Sequence, residues 1–347
     1  MIARRSIARR PIAVALAALG LMASACSKPA APATDQTITF SVLSAEDQQS
    51  MSKWWQPLFD DMGKATGLTI KPFYASNYTS LVEAMRFKQT QVGWFSALPA
   101  LEAVNRADGQ VLGRILTNGS TGSYNSVLIT KKGSGITLDD VLKCGKKLNF
   151  GLGDAKSTSG TLAPTAYLFT PKNIEPANCF KTVRTASHQS NFFSVANGLL
   201  DVSTNNTVGM MFYARENTAA ASKVQVIWTS PDLPESAILV RKDMDPATRE
   251  KIRAFFLSYG HAPGAEGDHQ REVLKGLTYT GFLAADNSYL DPIRQMQAAS
   301  DLGEAKHSGN AQKIAEAQKT FDAIEAEMAV KTPANAPVTP ALPAKAP

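Results

Sequence analysis

Cysteine is scarce: three residues in 347, at Cys26, Cys144 and Cys179. No two of them form a Cys-x-x-Cys pair, and the four His never fall at a His-x-x-x-His spacing. A metal centre is therefore not expected, and nothing in the residues demands a cofactor. Acidic residues are missing altogether before Cys26. Beyond the first 25 residues no apolar run approaches the length of a membrane-spanning helix. There is no internal repeat, no Gly-x-x-x-x-Gly-Lys-[Ser/Thr] loop for nucleotide hydrolysis and no Gly-x-Ser-x-Gly nucleophile elbow. Charged residues make up only 19% and hydrophobic ones 44%. That composition excludes collagen, coiled coil and wholesale disorder, and supplies a substantial core.

What is present begins with an address. Residues 1–10 carry four Arg, and residues 11–23 are apolar and uncharged. A basic stretch, a short apolar stretch and small residues at a cut site make residues 1–25 a secretory signal. The sequence Ala23-Ser24-Ala25-Cys26 resembles a bacterial lipobox, so Cys26 is expected to carry the lipid. Residues 26–36, rich in Pro and Ala, read as a tether. The exported body would then sit in the periplasm, anchored to a bacterial membrane by Cys26. The overall charge of +6 falls with the leader: 36 basic residues less those four leave 32 against 30 acidic. Nothing so near neutrality suggests a nucleic-acid partner.

The body alternates strand and helix. Strands are expected over 38–43, 68–73, 92–95, 111–116 and 124–130, with helices over 47–66, 78–88 and 98–106 between them. The alternation restarts with helices over 137–144, 158–167, 191–197 and 210–218 and strands over 148–152, 181–185, 200–203 and 224–229. Something new starts at 237–240, followed by helices at 246–258, 268–276 and 310–329. This predicts an α/β protein of two lobes, each a mostly parallel sheet flanked by helices. Residues 37–125 and 237–331 form lobe one, residues 126–236 form lobe two, and the tail 332–347 is expected to be disordered. Two crossings between lobes make a clamp, with ligand beyond the carboxyl ends of the strands.

The sharpest local feature is Gly151-Leu152-Gly153-Asp154-Ala155-Lys156-Ser157-Thr158-Ser159-Gly160, between a strand and a helix. One hydroxyl there would be an ordinary N-cap. Three in succession with free backbone N–H groups form a cradle for an anion. His188 follows the strand 181–185 and reaches the same edge. With Asp201 it raises the alternative of a Ser–His–Asp hydrolase using Ser157 or Ser159, but the spacing suits anion binding better.

Tyr78 in Ala75-Ser76-Asn77-Tyr78, Tyr124 in Gly122-Ser123-Tyr124-Asn125, the run Ser157-Thr158-Ser159-Gly160, His188, and Asp201-Val202-Ser203-Thr204-Asn205-Asn206-Thr207 recur in an order and spacing that resembles the periplasmic phosphonate-binding protein family. The resemblance covers about 37–260 and implies a two-lobed periplasmic-binding-protein clamp with two interlobe crossings. It implies a substrate-binding protein, not an enzyme, delivering a phosphonate or phosphite-like oxyanion to an ABC permease and its ATPase, and acting as a monomer. Tyr78, Tyr124, Ser157, Thr158, Ser159 and His188 would hold the oxygens. Relatives that bind aminoalkylphosphonates place carboxylates after the Asn-Asn-Thr run and in the later Ser-Pro-x-x-Pro segment. Here those positions hold Val208 and Ser236, with Glu235 one residue away. A buried ammonium without a carboxylate is unfavourable. The expected ligand therefore lacks an amine, and 2-aminoethylphosphonate should bind at least tenfold more weakly than phosphite or methylphosphonate, unless Glu235 takes the role. Phosphate, or a role presenting ligand to a sensor kinase, stays open. Cys144 and Cys179 both precede strands. They can pair if those strands are neighbours, and are otherwise small unpaired core residues.

Overall fold

The computed structural model describes residues 36–117 and 122–331. The expected signal, the tether with Cys26 up to residue 35, and the tail 332–347 lie outside these. Among the described residues the strands, in chain order, are β1 (Thr37–Val42), β2 (Thr69–Tyr74), β3 (Val92–Phe95), β4 (Gly109–Thr117), β5 (Ser123–Tyr124), β6 (Ser126–Lys131) and β7 (Asn149–Leu152). They continue as β8 (Thr182–Thr185), β9 (Val202–Asn206), β10 (Val224–Thr229), β11 (Leu233–Pro234), β12 (Ala237–Arg241) and β13 (Tyr279–Ala284). One sheet runs β13-β4-β12-β3-β1-β2, the other β10-β6-β9-β7-β8. The first sheet takes strands from both chain segments expected in lobe one, and the second takes them all from the segment expected in lobe two.

The sheets are mixed, which corrects the expectation of mostly parallel pairing. β1 pairs in parallel with β2 and β3, and β7 with β8 and β9. The remaining pairs, β12 with β3 and β4, β13 with β4, and β6 with β9 and β10, are antiparallel. Strand direction is fixed by how the chain returns, and side-chain alternation does not encode it. The expected strand 124–130 is split at Asn125. Its first piece, β5, pairs antiparallel with β11, so the two crossings are hydrogen-bonded to each other.

The helix Gln48–Thr66 shows how sequence makes these layers. Asp47 caps it, accepting from the Ser50 amide, and Gly67 ends it in the left-handed region at φ 69°. Met51, Trp55, Leu58, Phe59 and Met62 then recur on one face and are buried. Phe40 from β1 packs against Trp55 and Phe59, with ring centroids 5.6 and 5.0 Å away. The helix expected over 158–167 is wider than an α-helix: Thr158–Leu162 and Thr165–Phe169 are π-helical turns, followed by a 3-10 turn at Thr170–Lys172. The largest elements not foreseen are β13 and the helix Asp291–Ser308.

A disulfide joins Cys144 to Cys179 across 35 residues, at the end of lobe two where β7 and β8 begin. Closing a loop of that length should stabilise the fold by roughly 3–4 kcal/mol in the chain-entropy account. Cys144→Ser with Cys179→Ser should therefore lower the urea midpoint and the melting temperature by several degrees, while ligand affinity changes little because the bond is remote from the cleft. Equal unfolding midpoints would show the bond to be idle.

Candidate functional site

β7 ends at Leu152, and the loop that follows is built on a contact between two glycines. The Gly153 N–H donates to the Gly160 carbonyl at 3.0 Å, and the Thr204 hydroxyl donates to the same carbonyl at 2.7 Å. A Cβ on Gly153 would stand 2.6 Å from the Gly160 Cα, so no side chain fits. The approach turns the intervening residues outward. Ser157 becomes the N-cap of the helical run, its Oγ accepting from the Gly160 N–H at 2.9 Å. His188 opens the helix His188–Ala196, capped by Ser187. Its Nε2 lies 3.3 Å from the Ser157 Oγ and 3.5 Å from the Ser159 Oγ. Burial pulls the ring down to about pKa 4, so it is neutral at pH 7. Its Nδ1 is buried without a partner.

The other wall comes from lobe one and a crossing. Tyr78 begins a helix capped by Asn77, and Tyr124 lies in β5. Burial pushes both phenols well above their usual range, so both keep their protons. The Tyr78 phenol meets the Ser157 hydroxyl, and Tyr124 is near Glu235 and the hydroxyls of Ser159 and Thr158.

Of the residues expected to hold the anion, Tyr78, Tyr124, Ser157, Ser159 and His188 line one cavity. Thr158 is not among the lining residues. Its hydroxyl accepts from the Leu98 N–H at 2.9 Å and meets the Ser96 hydroxyl at 3.4 Å, joining the lobes instead. Val208, Glu235 and Ser236 also line the cavity. Asp201 lies apart, at the start of β9, where it accepts from the Asn149 backbone and side-chain N–H groups at 2.7 and 2.9 Å. No carboxylate orients His188, so the hydrolase constellation is not assembled. The sequence reading missed Glu46, Trp54, Trp94 and Tyr279, which line the same cavity. Helical spacing puts Trp54 on the apolar face of the helix Gln48–Thr66 with the core residues, and nothing in the pattern marks Glu46 as turned inward.

The lobes meet around this cavity through several direct bonds. The Tyr78 N–H donates to Asp154 at 3.3 Å and the Asp47 N–H to Gln189 at 2.8 Å. The Tyr213 hydroxyl reaches both Glu46 oxygens at 2.8 Å. Arg215 donates to the carbonyls of Lys275 and Gly276, and Trp54 stacks on Phe212 at 4.2 Å.

Residues 40–290 match the family model described as ABC transporter, phosphonate, periplasmic substrate-binding protein. The phosphonates-binding periplasmic protein of Escherichia coli K12 is 36% identical over 269 residues, covering 77% of this chain and 78% of that protein. The solved binding-protein component of an ABC phosphonate transporter from Pseudomonas aeruginosa is 32% identical, with a TM-score of 0.81 over 86% of this chain and 99% of that one. The fold is shared further by PhnD1 of Prochlorococcus marinus, solved in complex with methylphosphonate, at a TM-score of 0.67 and 18% identity over 76% of this chain and 97% of that one.

Proposed function

The chain belongs to the family of periplasmic substrate-binding proteins of phosphonate ABC transporters, and from that premise we propose that its cleft holds the phosphonate group of the ligand between Ser157, Ser159 and His188 of lobe two and Tyr78 and Tyr124 of the facing wall. It is the binding component of an importer and not an enzyme. The observation that carries the site assignment is the convergence of four hydroxyls and a neutral imidazole on one cavity whose lining includes no Lys or Arg. A phosphonate presents acceptor oxygens, so it needs donors, and hydroxyl donors hold a charged acceptor by charge-assisted bonds. With no fixed cation to neutralise the anion permanently, the ligand can also leave for the permease. Thr158 serves this site by tying its helix to lobe one.

Ser157 bridges the cradle, His188 and Tyr78, which makes it the residue to test. Ser157→Ala should weaken methylphosphonate binding by about 1–3 kcal/mol, the worth of a hydrogen bond to a charged group. Calorimetry with methylphosphonate, phosphite, phosphate and sulfate checks both residue and class. An unchanged affinity removes Ser157 from the site. Sulfate or phosphate binding tightest would replace the phosphonate reading with that of another small anion.

The mature chain is proposed to act as a monomer in the periplasm, held to a membrane by lipid on Cys26. Cys26→Ser should move the protein from the membrane fraction to the soluble one. Retention in the membrane fraction would refute the anchor.

A further inference from the structure

Much of the cleft's apolar wall is backed by core. Leu43, Met51 and Trp55 line the cavity and are packed into the interior of lobe one. Trp54 and Phe212 differ from them. Both line the cavity, and both also line a second groove on its far side, whose other walls include Ser50, Lys53, Gln189, Glu216 and Asn217. The two rings are therefore a partition with space on either side. Trp54 belongs to the helix Gln48–Thr66 of lobe one, and Phe212 to the helix Thr207–Glu216 of lobe two. Their planes are 14° apart and their centroids 4.2 Å. The Trp54 indole N–H is buried without a hydrogen-bond partner. Apolar packing, with Phe212 as the stacked face, holds that ring, and no polar contact of the indole does.

The partition is braced from lobe two. The Arg215 guanidinium carbon stands 5.0 Å from the Phe212 centroid and 6.0 Å from that of Trp54, within reach of cation–face attraction. Its terminal N–H groups donate to the Lys275 and Gly276 carbonyls at 3.1 and 3.0 Å, where the helix Gly264–Gly276 of lobe one ends. The last carbonyls of a helix lack intrahelical donors and carry the negative end of its dipole, so a guanidinium suits them. The Arg215 Nε pairs with one Glu216 oxygen, and the other Glu216 oxygen meets Lys53 of lobe one at 3.2 Å. Ring stack, guanidinium and ion pair thus cross between the lobes at one place, and all three are complete only where the lobes meet.

We propose that the Trp54–Phe212 pair determines specificity by size: it limits the substituent on the phosphonate carbon to one that ends short of the stacked rings. The inference rests on the phosphonate reading of the cradle and deepens it, naming phosphonates with short substituents as the preferred class. A bulky or aryl substituent gains room by parting the rings. Because one ring belongs to each lobe, parting them also strains the Arg215 bonds and the Lys53–Glu216 pair, so an oversized ligand opposes closure of the clamp. A short substituent leaves the partition whole, and the lobes close over it with every one of these contacts made.

Methylphosphonate and benzylphosphonate share the phosphonate group and its first carbon and differ by a phenyl ring, so the ratio of their affinities reads the wall and not the cradle. Calorimetry on the mature protein should find methylphosphonate about tenfold tighter or more, the scale of overpacking a wall that resists. Trp54→Ala joins the cavity to the groove and should tighten benzylphosphonate roughly fivefold or more while leaving methylphosphonate no tighter. Phe212→Ala should do the same from the other lobe, so the measurement survives if one variant fails to fold. Trp54→Phe keeps a stacking face and should hold the ratio within about threefold of the parent. A purely structural role for the rings would weaken both ligands alike and leave the ratio where it was. Three results overturn the partition while the phosphonate reading stands: benzylphosphonate binding the parent as tightly as methylphosphonate, a ratio that moves in neither alanine variant, or a Trp54→Phe ratio that moves as far as the alanine one. Failure of every phosphonate to bind the parent overturns both.

Discussion

Gly160→Ala should lower methylphosphonate affinity by roughly 100-fold or more with the fold intact. A Cβ at this position would lie 2.8 Å from the Gly153 Cα, 2.8 Å from the Ser157 Oγ and 3.1 Å from the His188 Cε1. The Gly153 backbone has little room to move, because it bonds both to the Gly160 carbonyl and to the Thr204 hydroxyl. The groups able to yield are the Ser157 hydroxyl and the His188 ring, two of the donors assigned to the anion. Overpacking of this kind costs about 1–3 kcal/mol, and each displaced hydrogen bond to the charged ligand adds about as much. Gly145→Ala is the control, since its nearest foreign atom is 3.9 Å away. Calorimetry reads the affinity and circular dichroism the fold. An affinity within threefold of the parent would show that the cradle does not depend on this close approach.

Arg241→Ala should cost about 3–5 kcal/mol of stability, the range for removing one partner of a buried ionic network. Arg241 ends β12 and is 2% exposed. Its guanidinium donates to the carbonyls of Met85 and Ala107 and to both carboxylate oxygens of Asp243. Arg241 and Lys88 together hold the Asp243 carboxyl far below the usual range. Truncation removes the guanidinium donor from the Met85 and Ala107 carbonyls, the former keeping only its backbone donors, and leaves a void beneath them, while Asp243 and Asp108, the carboxylates paired with the guanidinium, can turn to water. Urea unfolding measures the loss. A change under about 1 kcal/mol would mean that water enters and restores the bonds.

The sequence was most informative where a periodic pattern and a stop signal coincide. The helix expected at 47–66 is found at Gln48–Thr66 because Gly67 ends the apolar stripe in the left-handed conformation, which glycine adopts without the steric cost other residues meet. The candidate anion cradle was legible because three consecutive hydroxyls after a strand exceed what a cap requires. The helix Asp291–Ser308 was not, and its packing explains why. Its buried face includes Ala298, Ser300, Gly303 and Ala305. These small residues suit a close approach, since a Cβ on Gly303 would stand 2.5 Å from the Thr170 Cγ2. With only Ile293, Met296 and Leu302 as large apolar residues among these small ones, the buried face makes a weak hydrophobic period. Glu235 and Ser236 were both named from the sequence, but the choice between them was not legible. They lie between β11 and β12, in a crossing where successive side chains do not alternate faces, so both line the cleft and neither can be chosen by parity.

The bonds between the lobes set a population as well as a shape. Tyr78 to Asp154, Leu98 to Thr158, Asp47 to Gln189 and Tyr213 to Glu46 join protein to protein across the lobes. A receptor that must be held shut by its ligand loses apparent affinity in proportion to how seldom it is shut when empty. Direct bonds between the lobes reduce that loss, whatever their share, and so help a cradle of neutral donors reach tight capture. The same economy has a consequence at the membrane. A permease that recognises only the closed outline would also meet closed, empty copies, and these would compete with loaded ones for docking. Transport at low ligand concentration should then fall when the binding protein is in large excess over its permease, because the empty closed fraction grows in absolute number while the loaded fraction is limited by the supply of ligand.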